Sequence, residues 1–304
     1  MSIERVAVIG CGQMGRGIVE VCASAGLSVV AVKATVGDLG KVRAKLEKSL
    51  DRRVAKGKLT TDERDAILAR IELAGTIDVV AEVDLVIESA LEDFEIKAKL
   101  LRDLEDRMSK GAILASNTSS LPLVKLAERV ERPEQLLALH FFNPAAVMKL
   151  VELGVTEKTA PGATETARAF CQQIGKVPVE VSASPGYVVN RLLVPYLLHA
   201  IETLENGVAG PEAIDEAMRL GCAHPMGPLS LADLIGLDVV SAMATTLQVE
   251  LRDSRYRVPS LLRRLVNAGE LGRKSGKGIF DYTGDQRVPN RSLQLPSPFA
   301  NAAE

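Results

Sequence analysis

The sequence predicts an N-terminal α/β domain followed by an all-helical domain. Short apolar strands alternate with helical segments from Arg5 to about Ser182, which is typical of a parallel sheet covered on both faces. After the break SASPG, apolar residues recur only at helical spacing. A glycine-rich turn near residue 10 joins the first strand to the first helix, as in Rossmann-type dinucleotide-binding domains. We therefore predict such a domain over residues 1–183, a helical domain over 184–285 and a loose tail, rich in Pro, Asn and Ser, over 286–304.

The predicted strands and helices follow in a regular order. The strands read RVAVIG, LSVVAV, DLVIES, AILAS, LLALHFF and KLVELG. A helical hairpin over about residues 37–70 is inserted between the second and third of them, with a break at KGK and a capping-box pattern from Thr60 to Glu63. In the second domain the helical patterns begin at YVVNRLL, PEAIDEA, PLSLADL and SLLRRLV.

The turn GCGQMG carries the pattern G-x-G-x-x-G, with Gln13 and Met14 before its last glycine. Gly10 permits the tight turn, Gly12 lets the backbone approach a pyrophosphate, and Gly15 lets helix and strand pack closely. The N–H groups at the start of the helix would face the phosphates. An ordinary strand–turn–helix without a ligand is the alternative, but the position between a strand and a helix favours a dinucleotide site.

Lys33 stands where an NAD-binding domain usually carries an acid, at the end of the second strand. That acid accepts hydrogen bonds from the adenine-ribose hydroxyls about 20 residues beyond the glycines. An ammonium has no acceptor, yet it can attract a 2′-phosphate. Either Lys33 favours NADP or mixed use, or it points to solvent while backbone groups hold the ribose.

The inserted hairpin is basic, with eight Lys or Arg residues between Lys41 and Lys58 against Glu47 and Asp51. A solvated helix face is the simplest interpretation of such a run. The alternative is an arm that binds phosphate beside the cofactor site.

His140, in LALHFFNP, is predicted at the carboxyl end of a strand, where ligands bind in such sheets. A neutral imidazole can take a proton from a substrate hydroxyl near pH 7. Glu152 lies twelve residues further on in an apolar strand, where an unpaired carboxylate is costly. Pairing with His140 would satisfy it and orient the imidazole. The alternative is that Glu152 caps a helix or lies at the surface.

Two further segments supply neutral hydrogen-bonding groups. ASNTSSL presents Ser116 to Ser120 after a strand, either towards a ligand or as caps of the next helix. In SPGYVVNRLL, Asn190 stands in an otherwise apolar helical turn, where an amide needs a partner. Without a nucleophile arrangement, these residues favour proton and hydride transfer over covalent catalysis.

Composition excludes several classes of protein. A net charge of −2, 47% hydrophobic residues and no long apolar run argue against nucleic-acid or membrane partners. The four cysteines are scattered, which argues against a zinc site or a disulfide framework, so we expect no metal. Without a signal-peptide pattern at the start of the sequence, we expect a cytoplasmic protein.

Taken together, the motifs resemble the 3-hydroxyacyl-CoA dehydrogenases, notably the short-chain bacterial type. The resemblance runs from Arg5 to Tyr282 and rests on seven motifs in the family's order: IGCGQMGRGI, DLVIESALED, ASNTSSL, LHFFNPAAVMKLVEL, SPGYVVNRLLVPYL, HPMGPLSLADLIGLD and LGRKSGKGIFDY. It implies oxidation of a (3S)-3-hydroxyacyl-CoA to the 3-oxoacyl-CoA by NAD or NADP, or the reverse reduction. It also implies a homodimer formed through the helical domain.

The resemblance also implies roles for individual residues. His140 matches the general base and Glu152 the carboxylate that orients it. The remaining matches fall into three groups: Ser119, Asn190 and Asn143 around the substrate oxygen and nicotinamide; Glu92, Lys97 and Lys274 at the cofactor; and Ser49 and Lys56 at the CoA nucleotide.

Three departures from the family pattern bear on specificity. Lys33 replaces the ribose-binding acid, and Ala34-Thr35 follows it without the Arg that often marks an NADP site. Ala145-Ala146 after HFFNP, and His224 before PMGP, are expected to reshape the acyl pocket.

Two other functions remain compatible with these motifs. A related dehydrogenase could act on a hydroxyacyl group carried by an acyl carrier protein, although Ser49 and Lys56 favour free CoA. A non-catalytic protein on the same fold, as in the lens crystallins that resemble this family, would not need His140, Glu152, Ser119 and Asn190 together.

Overall fold

The computed structural model describes residues 2–33 and 37–293, and its contacts divide the chain into two units, Met1–Tyr187 and Val188–Glu304. The first unit is α/β and the second is helical, as predicted. The predicted boundary before Ser184 lies close to this division.

One eight-stranded sheet forms the centre of the first unit, in the order β3-β2-β1-β4-β5-β6-β7-β8. Its strands are β1 (Arg5–Ile9), β2 (Ser28–Val32), β3 (Ile71–Ala74), β4 (Leu85–Glu88), β5 (Ile113–Ser116), β6 (Leu136–Phe141), β7 (Leu150–Val155) and β8 (Val177–Ser182). The sequence analysis did not predict the two edge strands, β3 and β8. Most residues of β8 are exposed or half-buried and Pro178 interrupts it, so it lacks the apolar run of a central strand.

The sheet is parallel except between β6 and β7, which are antiparallel. The sheet is thus mainly parallel, as predicted, and departs from that prediction only at the β6–β7 pair. Only residues 142–149 connect β6 to β7, which is too short for the crossover that parallel neighbours require.

Helices cover both faces of the sheet. They are α1 (Gln13–Ser24), α2 (Leu39–Ala55), α3 (Thr61–Ala69), α4 (Phe94–Glu105), α5 (Leu123–Ala127) and α6 (Pro161–Gln173). Successive residues of β1 enter opposite cores, with Val6 and Val8 in one and Ala7 and Ile9 in the other. Burial on both faces explains why the central strands are continuously apolar.

The predicted hairpin insertion is present as α2 and α3. Leu46 and Leu50 of α2 are fully buried against the first core, so the arm is packed on the domain rather than extended from it. The predicted capping box starts α3: the Thr60 hydroxyl accepts from the Glu63 N–H, and the Glu63 carboxylate accepts from the Thr60 N–H at 2.8 Å.

In the second unit, the residues up to 293 form five α-helices that pack around a core of their own. They are α7 (Val189–Glu205), α8 (Pro211–Gly221), α9 (Pro228–Ile235), α10 (Leu237–Leu251) and α11 (Ser260–Asn267). A short hairpin of β9 (Phe280–Asp281) and β10 (Val288–Pro289) follows. Buried Asp233 accepts hydrogen bonds from the N–H groups of Ile279 and Phe280, which ties the hairpin to α9.

The prediction of a loose tail from residue 286 is wrong for the residues before 294. Arg287 lies over the Phe280 ring at 4.0 Å, and Leu293 is buried in the helical core. The Asn290 amide donates to the Gly278 carbonyl at 2.7 Å and to Glu270 at 2.8 Å. Asn290, one of the polar residues that suggested a loose segment, thus binds this segment to the rest of the helical unit. The rest of the predicted tail, residues 294–304, lies outside the described residues.

The described ranges, residues 2–33 and 37–293, contain many helices and many His, Cys, Asp and Glu side chains. No single helix among them has the length and apolarity to span a membrane; α9 and α10 reach it only when taken together, across a 94° bend. No group of three or more His, Cys, Asp or Glu side chains in these ranges is arranged to hold a metal ion.

Candidate active site

The glycine turn has the close approaches that its sequence predicts. A Cβ on Gly10, whose φ is +110°, would lie 2.3 Å from the Ser89 carbonyl oxygen, and one on Gly15 would lie 1.8 Å from that of Gly10. By contrast, a Cβ on Gly12 would meet no atom within 4 Å. No side chain of residues 2–33 or 37–293 caps α1, so its first N–H groups face this open space with the positive end of the helix dipole. The turn therefore fits a diphosphate.

Lys33 follows the last residue of β2, and its N–H donates to the Ala74 carbonyl at 2.9 Å. Its side chain extends beside Gly37, where a Cβ would lie 2.4 Å from Nζ. Ala34 and Thr35, the positions at which the sequence lacks the Arg of many NADP sites, lie outside the described residues. Lys33 is thus at the ribose end of the predicted dinucleotide site, and its role remains a prediction.

His140 and Glu152 are brought together by the antiparallel pairing of β6 and β7. The two residues face each other in the register, and His140 Nδ1 lies 2.8 Å from Glu152 Oε2. Both side chains are nearly inaccessible to solvent. The rings of Phe142 and Tyr187 lie 4.6 Å and 5.3 Å from the imidazole, centroid to centroid. With Nδ1 directed at the carboxylate, Nε2 is the nitrogen available to exchange a proton with substrate.

Glu92 and Lys97 join a polar network at the carboxyl ends of β4 and β5. Glu92 Oε2 lies 3.4 Å from Lys97 Nζ, while Oε1 accepts from neighbouring donors: the Thr118 hydroxyl at 2.7 Å, the Ser119 N–H at 2.8 Å and the Ser120 N–H at 3.1 Å. Burial raises the pKa of Glu92, but the charge of Lys97 and these donors outweigh burial, so the pKa is lowered. Glu92 is therefore held as a carboxylate at neutral pH.

Glu88 is central to this network and was not predicted from the sequence. Glu88 is fully buried at the end of β4 and accepts from Lys97 Nζ, the Ser116 hydroxyl and the Ala90 N–H, each at 2.6 Å. These contacts fix the ammonium of Lys97, which is itself 1% exposed. A single acid directly after the apolar run LVI was the available signal, because a buried carboxylate requires partners.

The ASNTSSL residues do not cap the helix that follows them. Pro122 precedes α5 and no side chain caps it. Asn117 instead accepts from the Phe141 N–H at 2.9 Å, tying the β5 end to the β6 end. Ser119 is half-buried, and its backbone N–H donates a hydrogen bond to the Glu92 carboxylate. Its predicted contacts with substrate and cofactor remain predictions.

Asn143 lies in the loop after β6, with its Oδ1 3.3 Å from Gln13 Nε2, so it meets the glycine turn. Buried Lys176 holds this loop by donating to the carbonyls of Ala145 at 2.5 Å and Met148 at 2.8 Å. Ala145 and Ala146, which depart from the family pattern, therefore lie in a segment that Lys176 holds in place.

A basic cavity of about 530 Å³ lies between α1, α2 and this loop. Four cations line it, namely Arg16, Lys45, Lys48 and Arg52. Ser49 also lines it and donates to Glu20 Oε2 at 3.0 Å; burial raises the pKa of Glu20. Lys56, the C-cap of α2, is exposed and is not among the lining residues. Three of the eight basic residues of the arm, Lys45, Lys48 and Arg52, therefore line a cavity.

Asn190 and Lys274 belong to the helical unit. Asn190 is a buried residue of the first turn of α7. Lys274 lies in the short turn Arg273–Ser275, and its Nζ is 2.6 Å from Asp238 Oδ2. Their predicted roles at substrate and cofactor remain predictions.

Two family models match this chain, one over each of its two units. Residues 5–184 match the family described as "3-hydroxyacyl-CoA dehydrogenase, NAD binding domain", and residues 186–282 match its C-terminal domain. The chain belongs to the 3-hydroxyacyl-CoA dehydrogenase family. It is therefore an oxidoreductase that uses a nicotinamide cofactor, as the resemblance implied.

Relatives of this dehydrogenase align over nearly their whole length. A 3-hydroxybutyryl-CoA dehydrogenase of Clostridioides difficile is 42% identical over 278 residues, which is 91% of this chain and 99% of the relative. The crystal structure of FadB2 from M. tuberculosis has 42% identity and a TM-score of 0.90, covering 93% of this chain and all of the other. The (S)-3-hydroxybutyryl-CoA dehydrogenase PaaH1 of Ralstonia eutropha has 43% identity and a TM-score of 0.87, with the same coverage.

Proposed function

We propose that this dehydrogenase oxidises a short-chain (3S)-3-hydroxyacyl-CoA, such as 3-hydroxybutyryl-CoA, to the 3-oxoacyl-CoA. The observation that carries the proposal is the buried His140–Glu152 pair, at the carboxyl end of β6 in the same unit as the glycine turn. Relatives named for 3-hydroxybutyryl-CoA support the short acyl chain.

In this mechanism His140 Nε2 takes the proton of the C3 hydroxyl. Glu152 accepts the Nδ1–H, which fixes the tautomer and stabilises the imidazolium that forms. The bound oxidised nicotinamide supplies the acceptor for the hydride that leaves C3. Because His140 and Glu152 are buried, their attraction is screened less by water than it would be at the surface.

The residues around the glycine turn would hold the cofactor. The open space at Gly12 and the uncapped start of α1 suit its pyrophosphate, while Glu92 and Lys97 offer an acceptor and a donor for a ribose. The ammonium of Lys33 favours acceptance of NADP alongside NAD.

The basic cavity suits the nucleotide of CoA. Arg16, Lys45, Lys48 and Arg52 provide positive charge for a 3′-phosphate, and Ser49 lies among them. This feature favours free CoA over a carrier protein, which has no adenosine 3′-phosphate.

We also propose a cytoplasmic homodimer. The helical unit exposes an apolar groove lined by residues that include Val188, Leu192, Met226 and Leu234. An exposed apolar surface of this kind is typical of an interaction site. Sedimentation should give twice the 32.5 kDa chain mass, and a monomer would contradict the proposal. The four free cysteines suit a reducing compartment.

The test is a side-by-side initial-rate assay. Purified enzyme is given 3-hydroxybutyryl-CoA or the same acyl group on an acyl carrier protein, each with NAD and NADP. We expect rapid turnover of the CoA thioester. Faster turnover of the carrier-bound substrate would contradict the CoA proposal, and cofactor binding without oxidation of either would contradict catalysis.

A further inference from the structure

Tyr187 places its ring directly beside the His140–Glu152 pair. The ring packs over Gly154, where a Cβ would lie 2.7 Å from Tyr187 Cε1 and 3.0 Å from the Ala138 Cβ. Ala138 and Gly154 face each other in the β6–β7 register, two residues from the His140–Glu152 pair on the same face of the sheet. The Tyr187 and His140 rings are 5.3 Å apart and inclined by 31°. Tyr187 therefore limits the space in which the imidazole can turn.

The hydroxyl of Tyr187 has no hydrogen-bond partner among the described residues, although it is buried. Leaving such a group unsatisfied costs about 1–3 kcal/mol. The backbone adds to this cost, since φ of Tyr187 is +45°, a region that bulky residues rarely adopt. Phenylalanine would fill the same space without an unsatisfied hydroxyl. The hydroxyl of Tyr187 is therefore not explained by a contribution to folding stability.

Carboxylates dominate the charge around this hydroxyl. Glu92, Glu152 and Glu88 act on it from the α4 side, from β7 and from β4, and Lys97 and His140 are the cationic or titratable groups beside them. Burial and these three carboxylates raise the pKa of Tyr187, so the group stays a neutral O–H dipole. The favoured orientation points its hydrogen towards the carboxylates.

We propose that Tyr187 is a positioning residue for the His140 base, with a ring that fixes the imidazole and a hydroxyl dipole that offsets the negative potential of the surrounding carboxylates. Offsetting that potential favours the neutral imidazole, which is the form that accepts a proton, over the imidazolium. A dipole already oriented in a dry site costs no reorganisation during the reaction. This inference rests on the proposed function, because it assumes that His140 is the base.

The test replaces the hydroxyl alone, with Tyr187→Phe. Tyr256→Phe is the matched control, because Tyr256 is also buried but its hydroxyl donates to the Arg191 carbonyl at 3.0 Å. Thermal unfolding is measured first. We expect Tyr187→Phe to unfold at the same or a higher temperature than the wild type, because an unsatisfied group is deleted, and Tyr256→Phe to unfold at a lower one. A loss in Tyr187→Phe equal to the control would overturn the proposal, because the hydroxyl would then have a stabilising partner.

The decisive readout is the protonation of His140, followed by NMR of the ring signals in the free enzyme. The chain has three histidines, so His199 and His224 serve as internal references. In Tyr187→Phe we expect the His140 ring signals to report the imidazolium up to a higher pH than in the wild type, since removing a dipole's positive end strengthens the negative potential at the imidazole. The acid limb of the kcat/KM pH profile should move with it, while Tyr256→Phe should leave both unchanged.

An unchanged His140 titration in Tyr187→Phe would overturn the proposal. The NMR measurement requires no turnover, so it separates this inference from the proposed function. If the wild type fails to oxidise any hydroxyacyl thioester while the titration still moves, the function is contradicted and the coupling of Tyr187 to His140 stands.

Discussion

His140 and Glu152 face each other across the antiparallel β6–β7 pair of the eight-stranded sheet, with Nδ1 and Oε2 2.8 Å apart. Neighbouring residues on antiparallel strands project their side chains to the same face, which brings imidazole and carboxylate together without a long loop. A parallel β7 would require a crossover and a different register. The chain reversal over residues 142–149 therefore places Glu152 beside His140, the proposed base.

Glu152→Gln should lower kcat by at least about 10-fold, because a neutral amide stabilises the imidazolium less than a carboxylate does. Steady-state kinetics with 3-hydroxybutyryl-CoA provide the measurement. Glu180→Gln is the control, since Glu180 lies on neighbouring β8 but is exposed and pairs with Arg168. Equal kcat for the two variants would remove Glu152 from the mechanism.

Lys33→Asp should shift cofactor preference towards NADH. A carboxylate accepts hydrogen bonds from the ribose hydroxyls and repels a 2′-phosphate, whereas Lys33 attracts that phosphate. The measurement is the ratio of kcat/KM for NADH and NADPH with acetoacetyl-CoA. If the ratio is unchanged, backbone groups hold the ribose and Lys33 faces solvent.

Lys48→Ala should raise KM for the acyl-CoA by about 2- to 5-fold, the effect of losing one exposed ion pair, with little change in kcat. Lys58→Ala is the control, because Lys58 lies on the same arm but not among the residues lining the basic cavity. A thioester of dephospho-CoA should bind the wild type and Lys48→Ala equally well. A KM effect that persists with that substrate would show that Lys48 does not contact the 3′-phosphate.

Glu92 should contribute a pH-dependent part of the stability. Its folded pKa is lowered below the ordinary value of 4.5, so its contribution is fully present above pH 4.5 and is lost as pH falls through the folded pKa. The stability difference between wild type and Glu92→Gln should therefore shrink below pH 4.5 in urea unfolding. Glu95→Gln is the control, because Glu95 is exposed and makes one 3.6 Å contact with Arg129. A difference that stays constant with pH would contradict this account.

Much of the fold followed from the sequence because its causes are local. Apolar runs predicted the central strands, and the capping box of Thr60 and Glu63 predicted the start of α3. The edge strands were missed because they bury little apolar surface, and β7 was assigned the wrong direction because alternation does not encode strand direction. The length of the β6–β7 connection did encode it.

The site was predictable where a charged group stood in an apolar strand, as Glu152 does. Glu88 carried the same signal at the end of β4, but its partners Ser116 and Lys97 are distant in sequence. Tyr187 carried no signal, because the residue type reveals neither its positive φ nor that its hydroxyl has no partner among the residues that the structure describes. Such features depend on the packing of several strands.

The most direct test of the central claim is single-turnover and steady-state kinetics of His140→Ala with 3-hydroxybutyryl-CoA, alongside cofactor binding by calorimetry. Loss of a general base should lower kcat by at least about 100-fold. Cofactor affinity should stay close to that of the wild type, since the glycine turn and the Glu92–Lys97 pair remain. Near-normal turnover by His140→Ala would contradict the assignment of His140 as the base.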